Sequence, residues 1–196
     1  MQNLLLDTVG ELIKGNALTS LTSLIGAGSE DATKKGVIAG ASALMSSLTK
    51  TASTPIGAAG LQQLMSGIDP RITNNVAGYL QNPALGNGAS VLQQFLGGET
   101  PAIAKKVSQA SGLGSDIVGR LLPLLAPLVI GTASKAIQSQ GIGPQDLPKF
   151  FADQAGFLKT LSPGLMGFFE RIDANDDGSI LDDLGRLSDR LFGGNK

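Results

Sequence analysis

Leu121-Leu122-Pro123-Leu124-Leu125-Ala126-Pro127-Leu128-Val129-Ile130-Gly131-Thr132-Ala133 is the longest apolar run of the chain, set between Arg120 and Lys135. A helix needs about 20 apolar residues to span a bilayer, so the run is too short for that and reads as a central buried helix. Interior proline removes a backbone hydrogen bond and crowds the preceding turn, so Pro127 predicts a kink in a helix over 115–139. The alternative is a helix that starts near Leu122 with a separate short helix before it.

Outward from this run, helical periodicity recurs and alternating strand patterns are missing. Leu4, Leu5, Val9, Leu12 and Ile13 repeat at helical spacing up to Gly15. Leu18, Leu21, Leu24 and Ile25 follow, ending at Gly26. Ser29 to about Ser53 reads as a long helix, with Val37, Ile38, Ala41, Leu44, Met45 and Leu48 on one face and Ser29 as its N-cap. Thr54-Pro55, Asp69-Pro70, Thr100-Pro101 and Ser162-Pro163 each pair a capping residue with proline at a first helical position, and Gly143-Pro144 is a weaker version. They predict helices over 55–66, 70–81, 88–96, 101–111, 144–160, 163–171 and 180–192.

Glycine is frequent, at 27 residues. Some close helices; others, such as Gly36, Gly40, Gly57, Gly60, Gly119 and Gly131, fall inside them, where each costs roughly 1 kcal/mol against alanine. Close approach of helices explains such a choice. Gly36-Val37-Ile38-Ala39-Gly40 forms a GxxxG pattern, read as packing within the monomer ahead of an oligomer contact. A faint internal repeat sets Ile38 against Leu124, Leu44 against Ile130, Gly57 against Gly143 and Leu61 against Leu147. It predicts two pseudo-repeated helical hairpins, about 30–66 and 116–152. All phenylalanines but Phe95 lie from Phe150 onward; Phe150, Phe151, Phe157, Phe168 and Phe169 read as core for the C-terminal part ahead of an exposed contact patch.

Composition narrows the function classes. A hydrophobic content of 42% supports a core, and a net charge of −1 gives no electrostatic case for nucleic acid. There is no cysteine, which excludes disulfides and thiolate metal sites, and no histidine. Met1–Leu6 lacks a basic leader before Asp7 and Glu11, so no signal peptide is expected and a cytoplasmic location is favoured over export. Acid–base chemistry would fall to Asp, Glu, Lys or Tyr79, and no motif positions such a pair, so the chain is read as non-enzymatic.

One stretch carries recognisable site chemistry: Asp173-Ala174-Asn175-Asp176-Asp177-Gly178-Ser179-Ile180-Leu181-Asp182-Asp183. Oxygen-bearing side chains stand at loop positions 1, 3, 5 and 7, glycine at 6 and an aliphatic residue at 8, as an EF-hand calcium loop begins. Asp173, Asn175 and Asp177 would point inward and Ser179 would offer its carbonyl. Position 12, where the standard loop has a bidentate glutamate, is Leu184, so closure would pass to Asp183, or to Asp182 through water. The bland alternative is a solvated turn between helices, since Asp, Asn and Gly favour turns. The expected ligands for Ca2+ are therefore Asp173, Asn175, Asp177, Ser179 and Asp183.

The segments Thr54–Leu61 and Val107–Leu113, the run Leu121–Gly131 and the stretch Asp177–Leu184 together resemble the bacterial DUF937 family, related to YidB-like proteins, over roughly residues 30–190. The resemblance implies an all-helical fold and brings no activity or catalytic residue. The expected architecture is all-α: helices or an arm over 1–28, then a helical domain over 29–196, a multi-helix bundle with an EF-hand-like loop over 173–183. The expected role is structural or interactive, with the chain itself (a homo-oligomer) or another protein as partner. A calcium-stabilised module and a bundle that binds an apolar ligand or contacts a membrane are the alternatives.

Overall fold

The computed structural model describes residues 4–160. Its helices are α1 (Leu4–Leu12), α2 (Gly15–Ile25), α3 (Glu30–Ala52), α4 (Pro55–Ser66), α5 (Arg71–Asn74), α6 (Val76–Gln81), α7 (Gly88–Leu96), α8 (Thr100–Ser111), α9 (Ser115–Gln140) and α10 (Leu147–Thr160). Short 3-10 turns cover Pro83–Gly86, Gly97–Glu99 and Pro144–Asp146, and no strand occurs among the described residues. The protein is all-α, and α1 and α2 belong to its body: Leu5, Val9, Leu12, Leu18, Leu21 and Ile25 are all buried.

The centre is α9. Leu121, Leu125, Ala126, Leu128 and Ile130 are fully buried, so the apolar run is enclosed on every side rather than along one stripe. The helix runs past the apolar run at both ends and reaches 26 residues. By length and composition it could cross a membrane, contrary to the limit set by the run alone, yet 78% of its most apolar stretch is covered by the rest of the protein. Both prolines lie inside one helix, and the alternative start near Leu122 is not taken. The charged residues flanking the run tie neighbours to it. Arg120 donates from Nη1 to the Ile25 carbonyl at the end of α2 (3.2 Å), and Lys135 donates to Oδ1 of Asn74 in α5 (2.9 Å).

A seam lies between α3 and α9, and glycine makes it close. A Cβ on Gly40 would stand 2.7 Å from Cδ1 of Leu125, and one on Gly36 would meet Leu113 and Leu121. The GxxxG pattern is thus a packing surface inside the monomer. Leu113 is held in place by the end of α8: Ser108 donates to the Leu113 carbonyl (2.6 Å), and the Leu113 amide donates to the Ser111 hydroxyl (3.2 Å). Along α3 also lies α10, where Phe150 and Phe151 are buried edge to face at 5.3 Å.

Local signals acted as their chemistry requires at Ser29, which accepts from the Ala32 amide, and at Thr54, which accepts from the Gly57 amide. Several positions differ from expectation: Pro70 precedes α5 rather than opening it, and Pro144 opens a 3-10 turn ahead of α10, which starts at Leu147. The helix expected over 70–81 is split at Asn75, whose backbone leaves the helical region while its side chain accepts from the Gly78 amide (2.8 Å). An asparagine that can cap a new helix competes with continuing the old one. Thr100 is not a cap: α8 starts at Thr100, one residue early, out of the preceding 3-10 turn, and the Thr100 hydroxyl donates to the Gly97 carbonyl. The order of a long helix then a shorter one does recur at 30–66 and 116–152, but the neighbours differ: α10 packs along α3, whereas α4 lies by α3, α7 and α9.

Candidate functional site

The five expected calcium ligands, Asp173, Asn175, Asp177, Ser179 and Asp183, lie outside the described residues. Among the described residues no group of three or more Asp, Glu, His or Cys is placed to hold a metal ion. Some charged residues there form pairs along the surface, as in Asp31 with Lys35 and Lys149 with Asp153 at 2.7 Å each. The Lys35 ammonium holds the Asp31 carboxyl below its usual range, and Asp153 raises Lys149. Exposed pairs of this kind contribute little to stability, because solvent screens them.

Tyr79, named from the sequence among the candidates for proton chemistry, is used by the fold. It is 2% exposed, and its hydroxyl donates to the Leu124 carbonyl of α9 at 3.2 Å. Burial pushes its pKa up to about 12. Gly86 makes room for it: a Cβ there would stand 2.8 Å from the Tyr79 ring and hydroxyl and 3.0 Å from Cγ of Pro127. Gly88, two residues on, serves the same end of α9. Pro127 has no amide hydrogen, so the Pro123 carbonyl lacks its helical donor. The first turn of α7 closes over that carbonyl, and a Cβ on Gly88 would fall on its oxygen.

This packing leaves an open concavity between α4 and α7. A groove of about 680 Å³ is walled by Gly60, Gln63 and Leu64 on α4 and by Val91, Gln94 and Phe95 on α7, with Ile68, Ile72 and Leu85 around it. That is within the 300–1,000 Å³ usual for binding clefts. Its two helical walls carry no charged residue, and among the described lining residues only Asp69 is charged. From Thr51 to Gly98 the only charged residues are Asp69 and Arg71, and these satisfy each other. The Arg71 side chain donates from Nε to both Asp69 carboxylate oxygens (3.1 and 2.9 Å) and from Nη2 to Oδ2, and its amide donates to Oδ1. Arg71 lowers the Asp69 pKa accordingly.

The sequence held a signal for this groove that the periodicity reading missed. Gly57-Ala58-Ala59-Gly60-Leu61-Gln62-Gln63-Leu64-Met65-Ser66-Gly67 and Gly88-Ala89-Ser90-Val91-Leu92-Gln93-Gln94-Phe95-Leu96-Gly97-Gly98 are two versions of one pattern. They agree at both ends and at Leu-Gln-Gln. The structure treats them alike at the Leu-Gln-Gln core of the pattern, although Ala58 is buried where Ala89 is exposed and Gly60 exposed where Val91 is buried. Leu61 and Leu92 are buried, as are Met65 and Leu96, while Gln63 and Gln94 are exposed and both line the groove. In each copy the first glycine sits against a backbone carbonyl, Thr51 for Gly57 and Pro123 for Gly88.

These features define a helical bundle with a surface groove whose two helical walls carry no charge. The family model described as a bacterial protein of unknown function, DUF937, matches residues 7–136, and the chain belongs to that family. The match takes in α1 through most of α9, including both groove helices, and starts earlier and ends earlier than the 30–190 of the sequence resemblance. No curated protein and no solved structure gives a significant match.

Proposed function

We propose that this is a non-enzymatic helical interaction protein that associates with itself. The observation that supports it is the surface from Thr51 to Gly98, where a groove is walled by two helices without a charged residue. Interface cores are depleted in charge relative to the rest of a protein surface. A net charge of −1 adds little repulsion between copies. The test is native mass by light scattering across a wide protein concentration range. Mass rising to a multiple of 20.0 kDa supports the reading, and a single 20.0 kDa species throughout overturns it.

A calcium-stabilised module is the second reading, supported by the ligand order of Asp173, Asn175, Asp177 and Ser179 with Asp183 as the closing group. A cation that binds only the folded state stabilises it by about 2.7 kcal/mol at a hundredfold excess over Kd. Melting in calcium against EDTA checks this: the expected rise in Tm is abolished by Asp177→Ala, and equal Tm in both conditions reduces the stretch to a turn. The third reading, an apolar-ligand bundle, has a concavity of about 460 Å³ beside Pro123, Gly119 and Leu122 in its favour.

A further inference from the structure

We infer that the groove between α4 and α7 receives Ile56 from a second copy of this chain, so that two copies pair through α4. The inference rests on the self-association proposed above and adds the surface and the residue that carry it. Among the described residues, the most exposed large hydrophobic side chain is Ile56, at 88%. An isoleucine left in water at the start of a helix forgoes about 1.5–3 kcal/mol of burial. Its position ties it to the groove. Ile56, Gly60, Gln63 and Gly67 follow helical spacing, and the last three line the groove, so Ile56 continues the same stripe at its open end. Leu85, 41% exposed, stands among the other lining residues.

The occupant follows from symmetry and charge. A two-fold contact uses one patch twice, so knob and socket must lie on the same surface of each copy. Ile56 and the groove share α4 and meet that condition. The socket has room where the knob's helix would approach, since a Cβ on Gly60 would meet nothing within 4 Å. Its walls carry Gln63 and Gln94, whose amides can both donate and accept, so the backbone end of an uncharged helix can be met without burying a charge. The first turn of α4 is such an end: Thr54-Pro55-Ile56-Gly57 carries no charge, and Thr54 already satisfies the Gly57 amide. The one charged residue among the described lining residues, Asp69, is already paired with Arg71, so the socket holds no free charge for a charged partner peptide.

The test uses the full chain and two substitutions at exposed positions, Ile56→Asp and Gly60→Trp, with circular dichroism showing that each keeps its fold. Ile56→Asp removes the knob and Gly60→Trp fills the socket. Each is expected to raise the dimer Kd at least about 100-fold, as losing two buried isoleucines by symmetry implies. Mixing the two variants is expected to restore part of the dimer, because the intact Ile56 of one copy meets the intact socket of the other. An oligomer whose mass and Kd are unchanged by both substitutions overturns this surface and leaves self-association standing. A wild-type chain that is monomeric at every concentration overturns both.

Discussion

The seam between α3 and α9 and the groove between α4 and α7 are built from the same residue used in opposite ways. At the seam, glycine is where another element arrives: Gly36 and Gly40 receive leucines from the stretch Leu113–Leu125, and a methyl group on either would press on them. In the groove, Gly60 faces open space. The cost of glycine in a helix is the same, roughly 1 kcal/mol, in both places. At the seam, buried contact offsets it within the monomer. On Gly60, nothing within the monomer does. A glycine count from sequence cannot separate the two cases, because the difference lies in what stands opposite.

Gly88→Ala should break the comparison most severely. Gly88 belongs to the groove's repeat pattern but behaves as a seam glycine, because its Cα lies against the Pro123 carbonyl. Backbone on both sides cannot yield as a leucine tip can. The substitution must push α7 off α9 and is expected to cost about 2–3 kcal/mol, the upper range for overpacking. Chemical denaturation reads this as a lower midpoint. An unchanged midpoint would mean that α7 does not need to close over the carbonyl freed by Pro127.

Tyr79 gives the next largest effect, and it shows on pH. Its folded pKa, about 12, stands above the ordinary 10.0, so the folded state holds the proton more tightly than the unfolded chain. The stability this contributes is fully present below about pH 10 and is lost as pH rises toward 12, to a total of roughly 2–3 kcal/mol. The chain has one tyrosine and no tryptophan, so phenolate absorbance reports this group alone. Its midpoint is expected near the folded value until the protein unfolds. Tyr79→Phe should remove this part of the alkaline loss and cost about 1 kcal/mol at neutral pH for the hydrogen bond to Leu124. A midpoint at 10 in the folded protein would place the hydroxyl in water.

The sequence made the bundle readable where local chemistry decides. Ser29, Thr54 and the apolar period of α3 mark their helices because caps and faces are properties of neighbouring residues. It did not reveal why Pro123 and Pro127 are tolerated. That answer needs Gly86, Gly88 and Tyr79, which come from distant parts of the chain. The split at Asn75 was hidden for a related reason: its amide can either sit idle on one helix or cap a new one, and packing decides. The groove was half legible. The paired Leu-Gln-Gln patterns and the missing charges stand in the sequence, but that Gln63 and Gln94 line one cleft is a fact of topology.

The smallest effect sharpens the comparison furthest. Gly60→Ala adds a methyl group that meets nothing in the monomer, at an exposed position inside α4. It should stabilise the chain by about 0.5–1 kcal/mol, because alanine loses less backbone freedom on folding. Association would confuse the reading, so the monomer term is measured in the Ile56→Asp background. Denaturant midpoints there should rise. In the wild-type background the same methyl narrows the socket proposed for Ile56, so the dimer Kd should rise although the monomer has become more stable. Opposite signs in the two backgrounds would show that Gly60 is kept for what approaches from outside, as Gly40 is kept for what approaches from within. A gain in stability with no change in Kd would leave Gly60 without an interface role.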